Sequence, residues 1–159
     1  KGKRRMPVAI MAMGIVFNLL NGMMQAGGLF FFPPEGLYAD GWAYLLKPHA
    51  LLGIILFFAG MFVNLHSDYV IRHLRRPGDT KHYLPGKGLY RYVTSANYFG
   101  ELVEWTGFAI LTASPAAWVF VWWTFANLVP RADAIHRRYR EEFGDEAVGK
   151  RKRIIPFLY

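Results

Sequence analysis

The chain has 159 residues, 53% of them hydrophobic and 17% aromatic, with a formal charge of +8. Apolar blocks alternating with basic stretches point to a membrane protein and away from nucleic-acid binding, which would set its cations along a soluble surface. Cysteine is absent, which excludes disulfides, thiolate metal sites and cysteine nucleophiles.

Residues 1–5 carry four cations and run straight into a long apolar stretch. No small-residue cleavage site closes a short apolar core, so this is not a cleavable signal. The chain opens on Lys1 and is expected to be a segment or a processed product.

Residues 7–32 form the first predicted span, longer than the roughly 20 residues that cross a bilayer. Asn18, Asn21 and Gln25 share one face of it, suited either to bonding a neighbouring helix or to a ligand. Pro33, Pro34 and Gly36 end the helix and open a loop through Tyr38, Trp42 and Tyr44, aromatics that suit a membrane interface. The second span covers 49–66, with Asn64 and Asp68 four residues apart at its end. Asp68 can pair with Arg72 at i+4 or face a ligand. A polar loop over 68–94 leads to a third span, 95–112. Ala113-Ser114-Pro115 then turns the chain into a fourth, 116–129. This last pair is short for a crossing, so its ends are expected in the headgroup region or in protein. Residues 131–143 read as a separate basic helix beside the membrane.

Lys and Arg number four in residues 1–5, one (Lys47) in the first loop, six from Arg72 to Arg91 and eight after Pro130. Four spans put 18 of these 19 on one side, which the positive-inside rule makes cytoplasmic, along with both ends of the chain. The predicted fold is all-α: a polytopic transmembrane helix bundle with four spans, forming one membrane domain over 1–159. No internal repeat, low-complexity tract or soluble domain interrupts it.

The third span carries the main functional signal. Asn97, Glu101 and Glu104 fall at helical spacing on one face, and a carboxylate at membrane depth is costly unless it meets protein, water or a polar ligand. At the cytoplasmic rim, Arg72, Arg75 and Arg76 follow the second span, and Arg131, His136, Arg137, Arg138 and Tyr139 follow the fourth. Guanidinium forks bind phosphate bidentately, so the two clusters converging on a polar cavity would suit a phosphorylated ligand. Residues 150–153 read as anchoring near anionic lipid. Gly86-Lys87-Gly88 lacks the spacing of a phosphate loop, and there is no GxGxxG, HExxH or GxSxG. No histidine spacing demands a metal.

From Asn64 onward the motif order resembles the steroid 5α-reductase family, the 3-oxo-5α-steroid 4-dehydrogenases. The likeness is carried by Asn64-Leu65-His66-Ser67-Asp68-Tyr69, Arg72-His73-Leu74-Arg75-Arg76-Pro77-Gly78 and Gly88-Leu89-Tyr90. It continues through Ser95-Ala96-Asn97-Tyr98-Phe99-Gly100-Glu101, Glu104-Trp105 and Ile155-Pro156-Phe157. It covers about residues 64–159, and the first span fits by hydropathy alone. The resemblance implies reduction of the C4=C5 bond of a 3-oxo-steroid by hydride from NADPH, in a seven-span protein whose C-terminal portion this is. It also implies that Asn64, Asp68, Arg75, Tyr83, Asn97, Glu101, Arg131 and Tyr139 help hold the cofactor, with Arg72 and His136 as further candidates. Ala134-Ile135-His136 keeps only part of the family's histidine cluster. The family's carbonyl-polarising tyrosine and glutamine–glutamate pair belong to upstream spans and have no match here, so the catalytic residues stay unassigned. The segment alone is expected to bind cofactor weakly and not to turn over. The host membrane would be a bacterial inner membrane or the endoplasmic reticulum.

Three alternatives share the membrane setting: a reductase of another sterol or enoyl lipid, an isoprenylcysteine-type methyltransferase using S-adenosylmethionine, and an assembly protein whose polar groups only join helices. The methyltransferases usually carry Arg-His-Pro where this chain has Thr94-Ser95-Ala96-Asn97.

Overall fold

The computed structural model describes residues 7–37, 39–76 and 78–159; the basic residues 1–5, Tyr38 and Pro77 of the motifs above lie outside them. The described residues are helical throughout, apart from loops and one isolated parallel bridge between Val93 and Lys152.

Helix α1 spans Val8–Ala26 and runs on through one π-helical stretch, Gly27–Phe31, before Pro33 and Pro34 stop it. A short 3₁₀ segment, Gly41–Leu46, leads into α2, Pro48–Arg72, whose first residue is a proline already set at helical φ. Trp42 is 88% exposed, as an interface aromatic should be, but Tyr44 is 6% exposed. Its hydroxyl donates to the Leu111 carbonyl at 2.8 Å, so Tyr44 ties the loop to the bundle rather than standing in an interface.

Helix α3, Ala96–Thr112, matches the expected third span almost to the residue, and Ala113 makes the turn in the left-handed region at φ 52°. Helix α4 follows as Pro115–Phe143. Two expectations need correction. The second helix does not give way to loop at Asp68 but continues to Arg72, helped by the Asp68–Arg72 ion pair at 3.6 Å. The fourth span and the basic helix are one rod of 29 residues, with Pro130 inside it. A proline removes one i→i−4 bond, and here the flanking turns carry the helix past that loss.

Two helices are long and apolar enough to cross a membrane, Val8–Phe31 and Pro48–Arg72. α3, with 17 residues, is about 26 Å long against a hydrocarbon core of about 30 Å.

Helices α2 and α3 meet backbone to backbone. Gly53 and Gly60 on α2 face Gly107 and Gly100 on α3, seven residues apart on each helix. A Cβ added to Gly53 would lie 2.5 Å from the Leu111 nitrogen, and one on Gly100 would lie 2.5 Å from the Asn64 nitrogen. Small residues at such a crossing let two helices approach until their backbones touch. The C-terminal tail closes the end of the bundle where α3 begins. Thr94 N donates to Lys152 O at 2.9 Å, Lys152 N to Tyr92 O at 2.8 Å and Ser95 N to Arg153 O at 3.1 Å. This pairing delivers Ile154, fully buried, into a cluster with Leu102, Leu128 and Ala132. Arg153 fixes the tail to α4 through Asp133 at 2.6 Å.

Candidate functional site

The glycine seam sets the spacing of the polar groups, because Asn64 and Asp68 extend α2 beyond Gly60 while Asn97, Glu101 and Glu104 flank Gly100 on α3. Asn64 and Glu104 both stand at the seam, the Asn64 backbone against Gly100 and the Glu104 backbone against Gly60. Glu101 is partly buried, and the charges acting on it are those of Glu104, Arg131 and Asp68. Tyr90, 1% exposed, donates from its hydroxyl to Asn97 Oδ1 at 3.4 Å. Burial pushes the Tyr90 phenol far above its ordinary value, with Tyr139, Asp68 and Tyr98 also acting on it, so it remains a donor at physiological pH. Asp68, Tyr90, Asn97 and Tyr139 thus form a polar layer at the end of the seam where α3 begins.

Two cavities of about 400 Å³ each adjoin this layer. The first, a basic cleft, is lined by Arg72, Arg75, His82, Tyr83, Arg138 and Tyr139, among others. Its outer wall is a loop folded onto α4. His82 Nδ1 lies 2.5 Å from Glu142 Oε1 and 3.3 Å from Arg138 Nη2. Tyr83 donates to Asp79 at 2.7 Å, and the Lys81 backbone N–H donates to the same carboxylate at 2.8 Å. These bonds, with Arg75 nearby, hold the Asp79 carboxyl below its usual range, and Asp79 in turn raises the Tyr83 phenol. Arg72 and Arg138 have carboxylate partners; among the described residues Arg75 has none within ion-pair distance. The second cavity opens between α1 and α4 and is lined by Phe17, Glu101, Phe120, Trp123, Asn127 and Arg131, with Thr124 and Leu128 behind them.

Of the residues expected to hold a cofactor, Arg75, Tyr83 and Tyr139 therefore line the cleft, and Glu101 and Arg131 line the second cavity. Asn64, Asp68 and Asn97 line neither: Asp68 and Asn97 belong to the polar layer, and Asn64 stands on α2 against Gly100. Arg72 joins the cleft. His136 does not: it is 6% exposed, with Nδ1 3.3 Å from Thr94 Oγ1, which also donates to the carbonyls of Lys152 and Arg153. It anchors the tail. In the first helix the amides bond protein: Gln25 Nε2 donates to Ala116 O at 3.2 Å, and Asn18 Nδ2 to Gly14 O at 2.8 Å. The glycine seam and Tyr90 escaped the sequence reading. The seam had a signal, the sevenfold spacing of Gly53 and Gly60 and of Gly100 and Gly107, whereas nothing local marks the burial of Tyr90.

A helical membrane-type bundle with carboxylates inside an apolar helix and a basic cleft at its rim defines the class. The family profile of the 3-oxo-5-alpha-steroid 4-dehydrogenases matches residues 4–159, so the likeness reaches back through α1, further than its motifs alone indicated. The 3-oxo-5-alpha-steroid 4-dehydrogenase 1 of Macaca fascicularis is 42% identical over 159 residues, covering 100% of this chain and 58% of that protein. Its Homo sapiens counterpart is 41% identical over 159 residues, with 100% and 59% covered. Steroid 5-alpha-reductase DET2 of Arabidopsis thaliana is 36% identical over 162 residues, with 99% and 59% covered. The chain belongs to the 3-oxo-5-alpha-steroid 4-dehydrogenase family. It spans about three-fifths of the length of these curated relatives.

Proposed function

We propose that this chain is the cofactor-holding portion, a single membrane domain, of an enzyme that reduces the C4=C5 bond of 3-oxo-Δ4-steroids with NADPH. In this reading the four long helices cross the membrane with their basic ends in the cytoplasm, as part of a seven-span whole. The observation that carries it is the convergence of Arg75 and Tyr83, from the loop after α2, and Tyr139, from α4, on one basic cleft beside the layer of Asp68, Tyr90 and Asn97.

The donor set suits the cofactor's charge. Arg75 is a guanidinium with no carboxylate partner among the described residues, and the Tyr139 hydroxyl can donate beside it, with Tyr83, bonded to Asp79, forming the wall; a guanidinium and a hydroxyl together suit phosphate. Asn64, Asp68, Asn97, Glu101 and Arg131 offer amide, carboxylate and guanidinium groups deeper in, able to hydrogen-bond a carboxamide-bearing ring. When bound, NADPH supplies the hydride. Hydride addition to the β-carbon of an enone builds negative charge on the carbonyl oxygen, and the donor that stabilises that charge is expected from outside this chain. The apolar and aromatic walls of the second cavity, with Glu101 and Arg131 at one side, suit a flat lipid such as a steroid or another lipid enone.

The test is ligand-dependent thermal stabilisation of the intact protein in detergent, because a ligand that binds only the folded state must raise its apparent stability. Selective stabilisation by NADPH over NADH, followed by turnover of a 3-oxo-Δ4-steroid, is the expected result. Stabilisation by S-adenosylmethionine alone would replace the reading with a methyltransferase. NADPH binding with turnover only of other enones would move the substrate to another lipid.

A further inference from the structure

The cytoplasmic face carries another cleft, of about 560 Å³, whose lining includes Arg91, Tyr92, Lys150, Arg151, Lys152 and Phe157. None of these residues contributes to the cleft of Arg75 or to the cavity of Glu101. Like Arg75, the cations here lack the carboxylate partners that five other arginines have. Arg72, Arg137, Arg138, Arg140 and Arg153 are each paired with a carboxylate. Among the described residues, Arg91, Lys150 and Lys152 have no carboxylate within ion-pair distance, and Arg151 donates only to the Pro85 carbonyl at 3.3 Å. Four cations thus share one hollow without an internal counter-charge.

The hollow has an apolar lip. Leu158 N donates to Ile155 O at 3.2 Å across a turn with Pro156 at its second position and Phe157, at φ 66°, at its third. That geometry is the one a type II turn reserves for glycine, so a bulky side chain held there is under strain. Tyr159 N bonded to Ile155 O, with Ile154 N and Ile155 N both bonded to Tyr159 O, holds the turn closed. The result sets Phe157, 77% exposed, and Leu158, 74% exposed, at its tip, with the Phe157 ring 5.1 Å from Tyr92. Leu128, which Ile154 packs on, stands at the end of the fourth predicted span, and Tyr92, which Phe157 packs on, comes three residues before the third. The lip therefore lies at headgroup level.

We propose that this cleft binds the headgroup of an anionic glycerophospholipid of the cytoplasmic leaflet. Arg91, Lys150, Arg151 and Lys152 surround the phosphate, while Phe157 and Leu158 enter the acyl boundary beside it. Cations combined with an apolar anchor are what a lipid surface selects, each basic residue adding attraction to anionic lipid. The inference uses the membrane orientation of the preceding section but not the cofactor, so NADPH stabilisation is indifferent to its outcome.

The test is native mass spectrometry of the intact protein in mild detergent, offered phosphatidylglycerol and phosphatidylcholine in equal amounts. The expected result is a retained phosphatidylglycerol, with preference over phosphatidylcholine reduced about fivefold for each cation removed in Lys150→Gln/Lys152→Gln. Phe157→Ser should weaken retention of both lipids, and Lys81→Gln/Lys87→Gln, an equal loss of charge elsewhere, should change nothing. If the first double variant fails to fold, Arg91→Gln on the other side of the cleft repeats the measurement. Absence of anionic preference, or equal loss from the Lys81/Lys87 control, overturns the proposal. Complete displacement of the lipid by soluble glycerol 3-phosphate would also overturn it, making this a site for a free phosphate.

Discussion

The contact between α2 and α3 and the contact between α1 and α4 are both made by apolar helices, yet they are opposite in kind. At the first, four glycines interlock and the backbones touch, leaving no room for a methyl group. At the second, large rings meet: Phe17 lies 6.3 Å from Phe120 and 5.8 Å from Trp123, centroid to centroid, and a cavity of about 400 Å³ remains beside them. No residue of α1 is buried. Rigid backbone contact fixes the register of Asn64, Asp68, Asn97, Glu101 and Glu104, whereas ring-to-ring contact leaves a wall that can adjust to a ligand. Polar precision sits on the tight seam and apolar accommodation on the loose one.

The sharpest way to break that contrast is to put a methyl group into the seam. Gly60→Ala sets a Cβ against the backbone of Glu104 and Gly100, where no flexible side chain can move aside. Overpacking of this kind costs about 1–3 kcal/mol or more, so a fall in melting temperature of several degrees is expected, roughly 2–4 °C for each kcal/mol in a domain of this size. Gly100→Ala should match it. If both melt like the parent, the seam is not the rigid element described here.

A second pair of changes asks whether the groups on the seam serve a ligand. Arg75→Ala removes a charged donor worth about 1.5–3 kcal/mol to a phosphate, or roughly 10–100-fold in Kd for NADPH. Its unliganded melting temperature should not move, since among the described residues Arg75 makes no ion pair. Glu101→Gln should likewise weaken NADPH binding in a protein that stays folded. Should Glu101→Gln lower stability and leave affinity unchanged, Glu101 is holding helices together and the cofactor reading loses its deep contact.

Much of this architecture was legible because apolar length and proline or glycine punctuation are local signals. The third helix and its Ala113 turn were read almost to the residue for that reason. The errors came where tertiary context overrides a local rule. Pro130 looked like a break, but α4 runs through it and brings Arg131 and Tyr139 onto one rod. Asp68 looked like the start of a loop, but α2 continues through it to Arg72, with Gly88 at φ 59° tucked so close to the His66 ring that a Cβ would lie 2.5 Å from Cε1. Glu101 and Glu104 stood out as charges in an apolar setting, whereas Asn64, Tyr83 and Tyr139 entered the candidate set through the family resemblance. The division of the candidates between two cavities depends on how α1, α3 and α4 pack, which no local pattern encodes.

Acid offers a milder probe, directed at the tail that caps the seam. Burial lowers the His136 pKa below its ordinary value, with Arg153 and Arg140 acting in the same direction. The folded state therefore favours the neutral ring, and its contribution is present above about pH 6.5, the unfolded value, and fades as pH falls below that. Asp133 is shifted down chiefly by its bond from Arg153, so its contribution holds above about pH 4 and is lost on further acidification. Melting temperature measured against pH should show a first decline below about 6.5 that His136→Gln removes, and a second at lower pH that Asp133→Asn removes. A decline below 6.5 that survives in His136→Gln would assign it to another group.

The smallest expected effect tests the loose side. Around Gly22 on α1 nothing lies within 4 Å of where a Cβ would stand, so Gly22→Ala should stabilise the helix by up to about 1 kcal/mol through propensity alone. That sign follows if the face of α1 meets only lipid. The relatives of this chain are longer than it is, and in the intact protein a further helix could cover that face. Destabilisation by Gly22→Ala in the intact protein, comparable to that at Gly60, would then mean that α1 has a close-packed seam of its own. The loose contact with α4 would be one side of a helix gripped from the other, and the adjustable wall of the cavity would be α4 rather than α1.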